Sequence, residues 1–162
     1  RSDFGDIYLS ATCRFFVTSD GGLGAIPWIS NIPVAYVNSS PPLGRAGWRE
    51  PDIYIPKKVY SVPEKRILSF MEILEIGVDR FTRTEDFKLA GLVLIENSPN
   101  EILDVAVEMD RRLGGVWVES KEDIVLRRQF EALFEPHHRV YTSPSRIGTR
   151  FLRQNRQLLV PC

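Results

Sequence analysis

The 162 residues carry 21 Lys plus Arg against 21 Asp plus Glu, a formal net charge of zero, with 43% hydrophobic and 26% charged residues. That mixture is globular, which excludes a collagen-like or wholly disordered chain and fits a single domain. The charge is unevenly spread: residues 139–162 hold five Arg and no acid, leaving 16 basic against 21 acidic groups in residues 1–138, a balance of −5. A nucleic-acid surface covering the whole chain is therefore not expected.

Cys13 and Cys162 stand at opposite ends, outside any C-x-x-C pair. Two thiols are too few for a disulfide framework or a zinc site, so a reducing cytoplasm is expected. The longest apolar run, residues 89–95, is interrupted by Gly91 and is far too short to span a bilayer. No signal-peptide pattern is visible and the chain opens on Arg, so a removed leader or a longer parent is expected.

In chain order, residues 6–13 read as the end of a helix, and residues 14–18 as a short buried strand. The turn Ser19-Asp20-Gly21-Gly22-Leu23-Gly24 follows, then a short helix over 25–30 that tolerates Pro27 in its first turn. A second strand at 33–37, closed by Asn38, completes a βαβ crossover and implies parallel strands. Residues 39–63 read as a Pro-rich ordered loop holding only short extended pieces, such as residues 52–55, with Trp48, Ile53, Tyr54 and Tyr60 too apolar for a floppy linker. Ser69 and Glu72 form a capping-box pattern for a helix ending near Gly77. Residues 92–95 are expected to be a third parallel strand. Ser98-Pro99-Asn100-Glu101 opens the strongest helix, with Ile102, Ala106, Met109 and Leu113 as its apolar stripe and Gly114-Gly115 at its end. A helix from Ser120 turns Leu126, Phe130 and Leu133 to the core, and a last helix is expected over 145–159. The fold class is thus α/β, a Rossmann-like three-layer domain with a parallel sheet, finished by several helices.

The glycine turn is the most informative feature, because open α/β sheets bind anions where a strand's carboxyl end meets a helix start. It is not a P-loop, since no Gly-Lys-Ser/Thr follows, and Pro27 breaks a dinucleotide fingerprint. The competing reading is a tight turn that needs glycine only for positive φ. Asp20 can bond ligand hydroxyls or simply cap the helix behind it. Lys57-Lys58 can close over an anion or form a solvated pair, and Trp48 can stack on a base or plug a local core. His137-His138 lack companions at metal-ligand spacing. No Gly-x-Ser-x-Gly elbow and no carboxylate dyad is visible. Arg146, Arg150 and Arg153 recur at helical spacing and read as a solvated face.

The run DIYLSATCRFFVTSDGGLGAIPWISNIPVAYVN resembles the nucleotide-sugar-binding half of GT-B type glycosyltransferases, and more closely a bacterial glycosyltransferase family. Further matching pieces are Ile55-Pro56-Lys57-Lys58, Glu72-Ile73-Leu74, the run NSPNEI over 97–102, Glu108-Met109 and Phe151-Leu152-Arg153-Gln154-Asn155, so nearly the whole chain is covered. The resemblance implies the carboxyl-terminal half of a GT-B fold, with an N-terminal acceptor lobe lying outside these residues. It implies a nucleoside-diphosphate-sugar donor held by Ser19, Asp20, Gly21, Gly22 and Leu23, with Asn38 and Lys57 near the nucleotide. No cofactor or metal is implied, because helix dipole and donor groups stabilise the leaving diphosphate. The acceptor (glycan, lipid or protein), catalytic base and stereochemistry stay open, and no nucleic-acid partner or transmembrane segment is implied. The expected setting is surface carbohydrate biosynthesis in the cytoplasm, peripheral to the inner membrane. Many relatives carry Ser where Asp20 stands, and the paired-glutamate motif of one retaining group is not recognisable. The alternatives are a UDP-sugar 2-epimerase, whose turn is normally followed by a helix Glu that residues 25–30 lack, and a non-catalytic nucleotide- or partner-binding module.

Overall fold

In a computed structural model describing residues 2–19, 21–44 and 47–160, the chain forms an α/β fold with two sheets. The first sheet joins β1 (Phe16–Thr18), β2 (Val34–Ser39), β3 (Ile53–Pro56) and β7 (Arg146–Ile147) in the spatial order β1-β2-β3-β7, and every pair is parallel. The order runs one way without reversing, so β1 is an edge among the described strands. Between β1 and β2 the crossover contains a 3₁₀ turn, Gly22–Gly24, and α2 (Ala25–Ile29), as the βαβ reading requires.

In the Pro-rich stretch the extended piece expected at residues 52–55 is present, but as part of a sheet rather than of a loop. The stretch contains β3, a central strand of the parallel sheet, and β4 (Lys58–Ser61), a strand of the second sheet. A single extended run therefore serves both sheets, changing partner at Pro56-Lys57, where the Lys57 N–H still donates to Ser39 O at 3.2 Å. The expected third parallel strand, β6 (Leu92–Ile95), lies instead antiparallel to β4, with Lys58 opposite Ile95 and Ser61 opposite Leu92. Apolar content marked β6 as a strand, but pairing direction depends on a partner more than thirty residues away. The two-residue strand β5 (Arg66–Ile67) completes this sheet.

Helices α3 (Phe70–Ile76), α5 (Pro99–Leu113) and α6 (Lys121–Glu131) each start on a serine whose side chain accepts the third N–H of the helix while the Asp or Glu there reaches back. Gly77 ends α3 at φ 81°, a conformation that costs glycine little. The remaining helices are α1 (Asp3–Thr12), α4 (Thr84–Leu89), α7 (Arg139–Thr142) and α8 (Thr149–Gln154). The continuous helix expected over 145–159 is broken: β7 occupies its start, and α8 ends before a 3₁₀ turn at Arg156–Leu159.

Register places Thr18, Tyr36, Tyr54 and Ile147 on one face of the parallel sheet, so Ile53 and Ile55 lie on the other. Ile55 packs close to Val105 of α5, with Gly148 wedged between them. The buried stripe of α5 matches the expected one in part, with Met109 buried and Ile102 packed against the core. Val105 and Met109 are buried together with Glu101 and Glu108, whereas Leu113 is exposed. Those two carboxylates face α8: Glu108 accepts from the Thr149 N–H at 2.8 Å and from its hydroxyl at 2.7 Å, and Glu101 accepts from Asn155 at 3.2 Å. Arg150 and Arg153, read from sequence as a solvated face, pair with Asp104 and Asp123, and Arg146 lies in β7 rather than on a helix. No helix among the described residues is long and apolar enough to cross a membrane.

Candidate functional site

The turn after β1 opens onto a cavity of about 460 Å³ lined by Ser19, Gly21, Gly22, Gly24, Ala25, Trp28, Tyr36 and Trp48. Its glycines are not there for positive φ. Gly21 sits at φ −106°, and neither Gly22 nor Gly24 falls in the left-handed region. Nor does packing demand them at the first two positions. A Cβ on Gly22 would meet nothing within 4 Å, and one on Gly21 only the Ser19 carbonyl at 3.9 Å. Gly24 alone is in contact, against the Thr18 side chain at 3.4 Å. What glycine does at 21 and 22 is put no side chain between backbone and cavity, as close approach by a ligand requires, although the Gly21 N–H is itself taken by the Ser19 carbonyl at 2.6 Å.

The opposite wall is aromatic. Tyr36 rises from β2 on the face that carries Thr18, and Trp28 comes from α2. Trp48 arrives from the long loop after β2, whose end is fixed by one carboxylate. Buried Asp52 accepts the Val34 N–H through Oδ1, and the Trp48 and Arg49 N–H groups through Oδ2, each at 3.0 Å. Trp48 is 70% exposed and Trp28 49% exposed, so neither plugs a core as the bland reading of Trp48 required. Two open indoles beside bare backbone make a surface suited to a flat ring or a sugar face.

Only part of the expected set converges there. Ser19, Gly21 and Gly22 line the cavity, while Leu23 is 44% exposed and Asp20 lies outside the described residues. Asn38 is engaged elsewhere. Its N–H donates to Asn97 Oδ1 and its Oδ1 accepts the Asn97 N–H, both at 2.6 Å, while Asn97 Nδ2 donates to Pro56 O at 2.9 Å. Lys57 pairs with Glu96 at 2.6 Å and lines a different cavity. Lys58 pairs with the nearly buried Glu101 at 2.8 Å. Burial works against the Glu101 charge, but hydrogen bonds from Lys58, the Ser98 N–H and Asn155 together outweigh it and lower its pKa. The resemblance motifs IPKK, NSPNEI and FLRQN are thus one another's partners, tying β3, β4, α5 and α8 together. The two turn-facing tryptophans are what sequence reasoning missed as a pair; Pro27-Trp28 was read only as a helix, and Trp48 singly.

His138 caps α7, its Nδ1 accepting the Val140 N–H at 3.1 Å, while Nε2 stands 3.4 Å from the buried Asp79 carboxylate. Both ring nitrogens are occupied, so the imidazole is not poised as a free base. Among the described residues no group of three or more His, Cys, Asp and Glu is arranged to hold a metal ion.

No protein-family model, curated protein or solved structure matches this chain. The site therefore has to be read from its own geometry.

Proposed function

We propose that the protein is a GT-B type glycosyltransferase whose described residues supply a Rossmann-like donor lobe, with the glycine turn taking the diphosphate of a nucleoside-diphosphate sugar. The observation that carries this reading is the bare backbone at Gly21 and Gly22, free of both φ demand and packing, facing a cavity of about 460 Å³ at the carboxyl end of a parallel strand. Backbone N–H groups at such a turn favour anions. With the Gly21 N–H given to Ser19 and the Gly24 N–H to Gly21, the phosphate would be met by the Gly22 and Leu23 N–H groups, and the missing Cβ atoms let its oxygens come within reach. Trp28, Tyr36 and Trp48 supply stacking area for the base or the sugar. In this reading Asn38 acts indirectly, holding the end of β2 through Asn97 rather than touching the nucleotide.

Calorimetric titration of UDP, GDP, CDP and dTDP tests the assignment. At least one should bind with millimolar or better affinity, and Gly22→Asp, which places a carboxylate in the open space, should weaken it at least tenfold. A folded sample that binds none of the four overturns the reading. Nucleotide binding without sugar transfer would instead leave a non-catalytic binding module. Interconversion of a free UDP-sugar with no acceptor would identify an epimerase.

A further inference from the structure

A second cavity, of about 520 Å³, lies at the end of β3 where the chain passes from one sheet to the other. Its floor is apolar, formed by Phe87, Leu92 and Leu94, with Phe87 and Leu92 buried. Its rim is cationic, with Lys57, Arg83 and Lys88 lining the same space. Lys57 is paired with Glu96, itself 63% exposed. Arg83 and Lys88 have no ion-pair partner among the described residues. Of the two acids on α4, Asp86 accepts the Thr82 and Arg83 N–H groups at 3.3 and 3.1 Å, and Glu85 does not line the cavity. A neighbouring cavity shares Pro41 and Thr82 with this one and is lined by Arg80 and Arg139 together with the Asp79 carboxylate, 3.6 Å from Arg80.

An apolar floor beneath unpaired cations selects an amphiphile with an anionic head. We infer that this cavity binds a phosphate ester carrying an apolar group, the hydrocarbon lying on Phe87 and Leu94 and the phosphate between Arg83, Lys88 and Lys57. Phosphate fits this rim better than a carboxylate, since it presents up to two charges and three acceptor oxygens to cations on separate elements. Neither head nor tail alone uses both surfaces. Inorganic phosphate leaves the floor wet, and an alcohol leaves the cations unmatched. The inference is independent of the nucleotide reading, because it uses none of the residues around the glycine turn.

Octyl phosphate, inorganic phosphate and octanol are the probes, titrated separately into the folded protein. Octyl phosphate should bind about tenfold or more tighter than either of the others, and the double variant Arg83→Gln/Lys88→Gln should lose about tenfold of that affinity. Both side chains are exposed, so the variant should fold, which its circular dichroism checks. Octyl phosphate binding no tighter than inorganic phosphate overturns the inference, and so does undiminished binding by the double variant. Co-sedimentation with vesicles of phosphatidic acid, but not of phosphatidylcholine, identifies a membrane-borne ester. Octyl phosphate binding without co-sedimentation identifies a soluble one. UDP binding combined with failure of octyl phosphate removes this inference alone and leaves the nucleotide site standing.

Discussion

Three glycines separate structural from functional use of the same residue. A Cβ on Gly44 would sit 1.9 Å from the Asp79 carbonyl oxygen, and one on Gly148 2.8 Å from the Ile55 side chain. The first obstacle is backbone and cannot yield by rotating. Gly44→Ala should therefore lower unfolding stability by about 3 kcal/mol, read as a fall in urea midpoint. Gly22→Ala, with nothing within 4 Å, should shift stability by less than about 1 kcal/mol while weakening nucleotide binding. Glu72 offers a test by pH. Its hydrogen bond from Arg66, with further help from Ser69, holds its pKa at about 2 in the folded protein. An unfolded Glu titrates near roughly 4.3, so the folded state binds fewer protons between those values. The Glu72 contribution should be complete above about pH 4.3 and disappear as the pH falls toward about 2. In Glu72→Gln, stability should decline less steeply across that window in acid titrations followed by circular dichroism.

Between elements, the clasp of α8 onto α5 and α6 depends on burial more than on charge count. Arg153 pairs with Asp123, whose side chain is 3% exposed, whereas Arg156 pairs at 3.7 Å with Glu122, 52% exposed. Burial opposes the Asp123 charge, yet the hydrogen bonds from Arg153 and Ser120 more than offset it and lower its pKa. Arg153→Gln should cost about 2–3 kcal/mol because it strands a nearly buried carboxylate, while Arg156→Gln should cost less than about 0.5 kcal/mol. Chemical denaturation of the two variants side by side distinguishes them. What sequence revealed at this scale was local. Ser69, Ser98 and Ser120 announce their helices because a capping box is written within four residues, and the glycine turn's place between strand and helix was equally readable. Sheet membership was not. Nothing within residues 53–61 says that the run changes sheets, and nothing within 92–95 gives the direction of pairing. The stripe of α5 was read incompletely: Met109 and Ile102 were legible, but Glu101 and Glu108 count as polar until Lys58, Asn155 and Thr149 arrive from distant sequence to satisfy them.

Across the whole molecule, the uneven charge resolves into internal neutralisation. Four of the five terminal arginines, at 146, 150, 153 and 156, reach acids in residues 104–123. The terminal segment also supplies β7, which flanks β3 across from β2. Ending the chain after residue 142 would expose Ile53 and Tyr54 along a fresh sheet edge and leave Glu108 without Thr149. Such a truncation should lose its single cooperative urea transition, checked by comparing fluorescence with circular dichroism. The extended run through Pro56-Lys57 has a consequence of another kind. Because β3 and β4 are one stretch of covalent chain, the two ladders are joined at Lys57, whose N–H bond to Ser39 a swing of one sheet against the other would have to break. The aromatic cavity rests on β2, paired to β3, and the cation-rimmed cavity rests on β6, paired to β4. The spacing of molecules held in the two cavities would thus be set at a single residue, Lys57.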